Sequence, residues 1–125
     1  MKGRYQFHPD LAYVDIVIEG RVTLAELGPF IESLWSDPGW RPDYNGLMDF
    51  SAARIDLSDQ EVLDLTRAMR ADPRCSLEKW SFVVSRAADF GKLRMLDQEE
   101  DKASIRIFFD RGAAENAGLH RTPRP

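Results

Sequence analysis

The chain has 125 residues, 43% hydrophobic and 30% charged, with a formal net charge of -4. That is the size of one domain with a core of its own, and its acidic balance argues against nucleic acid or an anionic membrane as a partner. Cys75, the single cysteine, excludes an internal disulfide framework, and no apolar run approaches the ~20 residues that span a bilayer.

No signal-peptide pattern follows Met1-Lys2-Gly3-Arg4, so a cytoplasmic location is expected. Residues 3–8 and 12–19 read as two strands. In the second, Val14, Ile16 and Ile18 fall on one face at the two-residue period of a strand. Pro9-Asp10-Leu11 between them suits a hairpin turn. The hairpin leaves a sheet edge where Tyr5, Phe7 and Tyr13 are expected to be partly exposed, and where a homodimer is expected to form. Gly20 is expected to end the second strand. Thr23 and Glu26 have the spacing of a capping box, with Val22 and Leu27 at the staple positions. Leu24, Leu27, Ile31, Leu34 and Trp35 then share one helical face. Pro29 lacks an N–H and opposes the carbonyl of Ala25, which predicts a kink or a late helix start.

Residues 37–43 form a loop, and residues 46–50 a short buried strand. Ser58 and Glu61 make a second capping box, with Leu57 and Val62 as its staple. Val62, Leu65 and Met69 form the apolar stripe of the following helix, which ends before Asp72-Pro73. Residues 80–84 are a fourth strand. Phe90, Leu93 and Leu96 recur at helical spacing, followed by the acidic run Gln98-Glu99-Glu100-Asp101. Residues 104–109 are a fifth strand, and Asp110 caps a last helix ending near Gly118.

A hairpin followed by repeated helix–strand alternation predicts an α/β domain. Its five-stranded sheet is mixed but mostly parallel, with an antiparallel N-terminal hairpin and about four helices. The strand at 47–50 is expected to be central and parallel to the strand at 80–84. Residues 1–119 read as one domain, and 120–125 as a flexible Pro-rich tail.

Four stretches in this order resemble the SpoIIAA-like branch of the STAS superfamily. They are Ile18-Glu19-Gly20-Arg21-Val22-Thr23, Leu47-Met48-Asp49-Phe50-Ser51, Phe90-Gly91-Lys92-Leu93-Arg94-Met95, and Ile107-Phe108-Phe109-Asp110 with Ala114. The resemblance implies a five-stranded sheet with helices and a role in binding or regulation. STAS domains of the anti-sigma antagonist type carry Asp-Ser-Ser-Gly at the start of the second helix, where a serine is phosphorylated. The matching stretch here is Asp56-Leu57-Ser58-Asp59. Ser58 holds the second serine position, Leu57 replaces the first serine, and Asp59 replaces the glycine. The resemblance thus makes Ser58 the candidate phosphoacceptor, although its capping role alone accounts for a serine at this position. Asp56, Asp59 and Glu61 crowd that helix end with negative charge, which opposes a phosphate there.

The residues themselves name no catalytic constellation. His8, His120 and Cys75 lie too far apart for metal-ligand spacing, so no metal site is expected. Glu99, Glu100 and Asp101 read as a solvated helix end. Cys75 beside Arg74 reads as a plain thiol, and no Gly-rich loop implies a nucleotide cofactor. Trp35, Trp40 and Tyr44 cluster around the first long loop, either as core packing or as the wall of an apolar pocket. Asp49 is placed at a strand end, and with Arg54 and Asp56 it makes the candidate polar mouth of that pocket. Two functions follow: a non-catalytic regulatory or protein-interaction module, or a carrier of a small apolar or lipid-like ligand. A large pocket favours the carrier, and a packed interior with exposed apolar surface favours the module.

Overall fold

A computed structural model describes residues 1–95 and 105–120. Strands β1 (Lys2–His8) and β2 (Tyr13–Val22) pair antiparallel across a 3-10 turn at Pro9–Leu11. Strands β3 (Asn45–Ile55), β4 (Trp80–Val83) and β5 (Arg106–Phe108) add in parallel, so the sheet order is β1-β2-β3-β4-β5. Helices α1 (Leu24–Trp35), α2 (Asp59–Ala71) and α3 (Ala87–Arg94) lie between successive parallel strands, and α4 (Arg111–His120) follows β5. This is the expected mixed α/β sheet, with β3 central and parallel to β4.

Strand alternation decides what each face buries. Val14, Ile16 and Ile18 of β2 join Met48 and Phe50 of β3 and Trp80 and Phe82 of β4 on an inner face. Against them pack Leu27, Ile31, Leu34 and Trp35 of α1 and Val62 and Met69 of α2. The outer face holds a smaller cluster of Tyr13, Leu47 and Val83 beneath Ala114 of α4. An irregularity in the pairing of β2 with β3, between Val17 and Glu19, inserts one extra residue into β3. The extra residue reverses the alternation, so Ala53 and Ile55 pack inward after it.

Several expectations are corrected. Gly20 does not end β2: its φ of +83° is open to glycine without steric cost, and Arg21 and Val22 go on pairing with Arg54 and Ile55. The box at Thr23 does not form, because the Thr23 side chain makes no cap bond and Glu26 instead accepts from the Met1 ammonium at 3.0 Å. Nor does α1 start late. It runs from Leu24 through Pro29, and its buried face on the sheet holds the turn that lacks one amide. Tyr5 and Phe7 are half-buried against the inner core, partly exposed as expected, with Tyr5 donating to Asp37 at 2.8 Å, whereas Tyr13 is buried. The capping box at Ser58 forms as expected, and Asp110 accepts from the Gly112 amide as a cap should. His120, expected in the tail, is the last residue of α4. Leu96, the acidic run at 98–101, Ser104 and residues 121–125 lie outside the described residues.

Candidate functional site

The carboxyl end of the parallel strands is where α/β sheets offer ligands and partners a crevice. Here β3 leaves the sheet at Ile55, and its amide donates to Asp89 of α3 at 3.2 Å. Three residues on, Ser58 caps α2: its hydroxyl accepts from the Glu61 amide at 3.1 Å, and Glu61 accepts from the Ser58 amide at 2.9 Å. Leu57 and Val62, the staple pair, are both buried. Two of the three acidic neighbours have cation partners, which lessens the expected crowding. Arg21 holds Asp56 and Lys92 holds Asp59, each at 2.6 Å. Arg54, Asp56, Arg86, Asp89 and Lys92 line an open polar cleft of about 280 Å³ beside this cap.

The six residues expected to form one pocket mouth divide among three places. Arg54 and Asp56 meet in that cleft. Trp35, Trp40 and Tyr44 lie at the opposite, amino end of the sheet, packed with the inner core. There Trp40 stacks on Trp80 at 6.0 Å and donates its indole N–H to the Arg74 carbonyl at 3.1 Å. The Arg74 guanidinium lies 5.1 Å over Trp35 and grips Asp72 and Glu32, tying the loop after α2 to α1. Asp49 is not at a strand end, since β3 continues six residues beyond it to Ile55. Its side chain points to the outer face.

On that face Asp49 meets a residue the sequence reading passed over. Arg111, the first residue of α4, donates to Asp49 at 2.8 Å, Asp15 at 2.6 Å and Glu115 at 2.7 Å. The other Asp49 oxygen accepts from the Ser51 amide at 2.8 Å, beside the extra residue in β3. Burial pushes the Asp49 carboxyl up, but the bonds from Ser51 and Arg111 outweigh it and hold the group below its usual range. Burial likewise opposes the charge on Arg111, and Asp49 and Asp15 more than restore it. This arrangement, three carboxylates on one guanidinium, is a fastener between α4 and the sheet.

No family model and no curated protein matches the chain. Among solved structures, an uncharacterised DUF3478 family protein from Shewanella loihica PV-4, described as having a SpoIIAA-like fold, superposes with a TM-score of 0.52. The match covers 84% of this chain and 82% of that one at 16% identity. The chain has a SpoIIAA-like fold. At that identity the likeness extends to the fold alone.

Within the SpoIIAA-like fold, the inner layer between the sheet, α1 and α2 is closely packed. Its apolar cavity, bounded by residues such as Leu27, Met48, Val62 and Phe82, measures about 50 Å³. Among the described residues no helix is long and apolar enough to cross a membrane. The cap at the cleft gives a direct expectation. Ser58→Ala should lower stability by about 1 kcal/mol, and Ser58→Asp, which also caps, should retain most of it. Denaturant melts of both variants decide this, and a neutral Ser58→Ala would remove the cap as the reason for a serine here.

Proposed function

We propose that the chain is a cytoplasmic, non-catalytic regulatory module of the STAS type, acting through protein contact at the carboxyl end of its sheet. The observation that carries this reading is the packed interior. A cavity of about 50 Å³ is far below the roughly 300 Å³ at which pockets begin to enclose a drug-sized or lipid-like molecule. Exposed apolar surface lies elsewhere: Phe109, 58% exposed, follows β5 and stacks on Phe90 of α3 at 5.4 Å. An aromatic left in water suits a protein partner. Ser58 is the regulatory residue in this reading. Its exposed position at the α2 N-terminus favours a phosphate through free amides and the helix dipole. Lys92 and Arg21, already paired with the neighbouring acids, reduce the repulsion such a phosphate would meet. The β1 edge is the surface for self-association.

The alternative, a carrier of a small apolar ligand, requires the inner cavity to open several-fold. Native mass spectrometry of freshly purified protein separates the two. The module predicts the bare chain or its dimer, and a co-purifying lipid-like mass would overturn it. Phosphopeptide mapping of protein from its native host is expected to place phosphate on Ser58. An unmodified Ser58 under all growth conditions would remove the switch from this proposal.

A further inference from the structure

We propose that the outer face carries a binding site for a small organic cation bearing N–H donors, a primary ammonium or a guanidinium, seated among Tyr13, Asp15 and Glu115. The site lies on the other side of the sheet from the core layer of α1 and α2, and does not depend on the function proposed above.

An open cavity of about 210 Å³ is lined by His8, Leu11, Tyr13, Asp15, Arg111 and Glu115. Two shielded polar atoms on these residues have no hydrogen-bond partner among the described residues, the Tyr13 hydroxyl and Oδ1 of Asp15. Tyr13 is only 7% exposed. A buried hydroxyl without a partner destabilises a fold relative to phenylalanine, so packing gives no reason for tyrosine here.

The charge of the surroundings selects the ligand. Three carboxylates, those of Asp15, Asp49 and Glu115, converge on the one guanidinium of Arg111, which leaves negative charge in excess. An anion would have to take Arg111 from carboxylates that already hold it. A neutral ligand would leave the excess uncompensated. A cation with N–H groups offsets it and donates to the atoms that lack a partner. Burial and the nearby Asp15 charge hold the Tyr13 hydroxyl above its usual range, so it stays neutral and offers an oxygen lone pair to a donor. The Tyr13 ring, 5.9 Å from that of His8, adds an aromatic face that attracts a cation. Leu11, 46% exposed, gives a rim for a short alkyl chain. Glu115, half-exposed in the same cavity lining, adds a further acceptor for the cation.

The test is an NMR titration of the whole chain, following backbone amides, with butylammonium and methylguanidinium as probes. Tetramethylammonium, butyrate and sodium chloride are the comparisons. Saturable shifts centred on Tyr13, Asp15 and Arg111 are expected with the two N–H cations only. Asp15→Asn should weaken binding about tenfold. Because that change also touches the Arg111 bonds, Tyr13→Phe is the sharper variant: it should melt no lower than the natural protein yet bind about fivefold more weakly. The proposal fails if neither N–H cation gives saturable shifts, or if tetramethylammonium or butyrate binds as well. It fails too if Tyr13→Phe binds unchanged, or melts lower because its hydroxyl was already bonded within the protein.

Discussion

Arg111→Met is expected to lower stability by about 3 kcal/mol at pH 7, the low end of the range for breaking a buried ion pair, since Arg111 is itself partly exposed. Methionine preserves the packing of the long stem and removes the charge. What remains is Asp49, whose side chain is 7% exposed, held among the described residues by Ser51. The pH dependence identifies the cause. In the natural protein the Asp49 carboxyl sits below its usual range. Its contribution is therefore present above the unfolded value of about 3.9 and is lost as pH falls through the folded one. Without Arg111 its bond and charge no longer hold the group down, and the carboxyl rises from that depressed range. Its penalty is then largest at neutral pH and disappears once the group is protonated. The deficit between variant and natural protein should accordingly narrow from pH 7 to pH 4 in urea melts. Arg111→Met combined with Asp49→Asn should recover part of the loss, since removing both charges leaves none stranded. A deficit below about 1 kcal/mol, unchanged by pH, would reduce the network to an ordinary surface contact.

The sheet was legible because its signals are local. Val14, Ile16 and Ile18 alternate, and helical stripes separate apolar runs, so strand order follows from the connections. Two identical capping patterns show where local reading stops. Ser58 and Glu61 close their box, whereas Thr23 and Glu26 do not, because the Met1 ammonium claims Glu26. Nothing between residues 23 and 26 carries that information. Strand β3 was read short for a related reason. Ser51, Ala52, Ala53 and Arg54 have weak strand propensity alone, and they stay extended because β2 pairs with them beyond the irregularity. The outer-face network was the least visible. Arg111 reaches Asp49 across 62 positions and Asp15 across 96. Its one sequence signal was a carboxylate flanked by apolar residues inside each of two strands, which buried placement makes costly without a partner.

Gly46→Ala should be at least as damaging, at about 3 kcal/mol, the upper part of the range for an overpacked core. Gly46 sits opposite Trp80 in the pairing of β3 with β4. A Cβ at position 46 would come within 2.8 Å of Trp80 Cδ2 and closer still to Cε3 and Cζ3. The ring has little room to retreat. Trp80 is 3% exposed, stacked on Trp40 at 6.0 Å and on Phe82 at 6.5 Å. Trp40 is pinned in turn by its indole bond to the Arg74 carbonyl, so displacing one ring disturbs the loop after α2. The cause is space, and a smaller ring should relieve it. Trp80→Phe has its own cost from the cavity it leaves. In the Gly46→Ala background that space is partly filled by the new methyl group. The double variant is therefore expected to be more stable than the sum of the single losses predicts, by about 1 kcal/mol or more. Thermal and denaturant melts of the four proteins measure this coupling. Strictly additive losses would show that Gly46 is needed for its backbone freedom and not for the indole that lies against it.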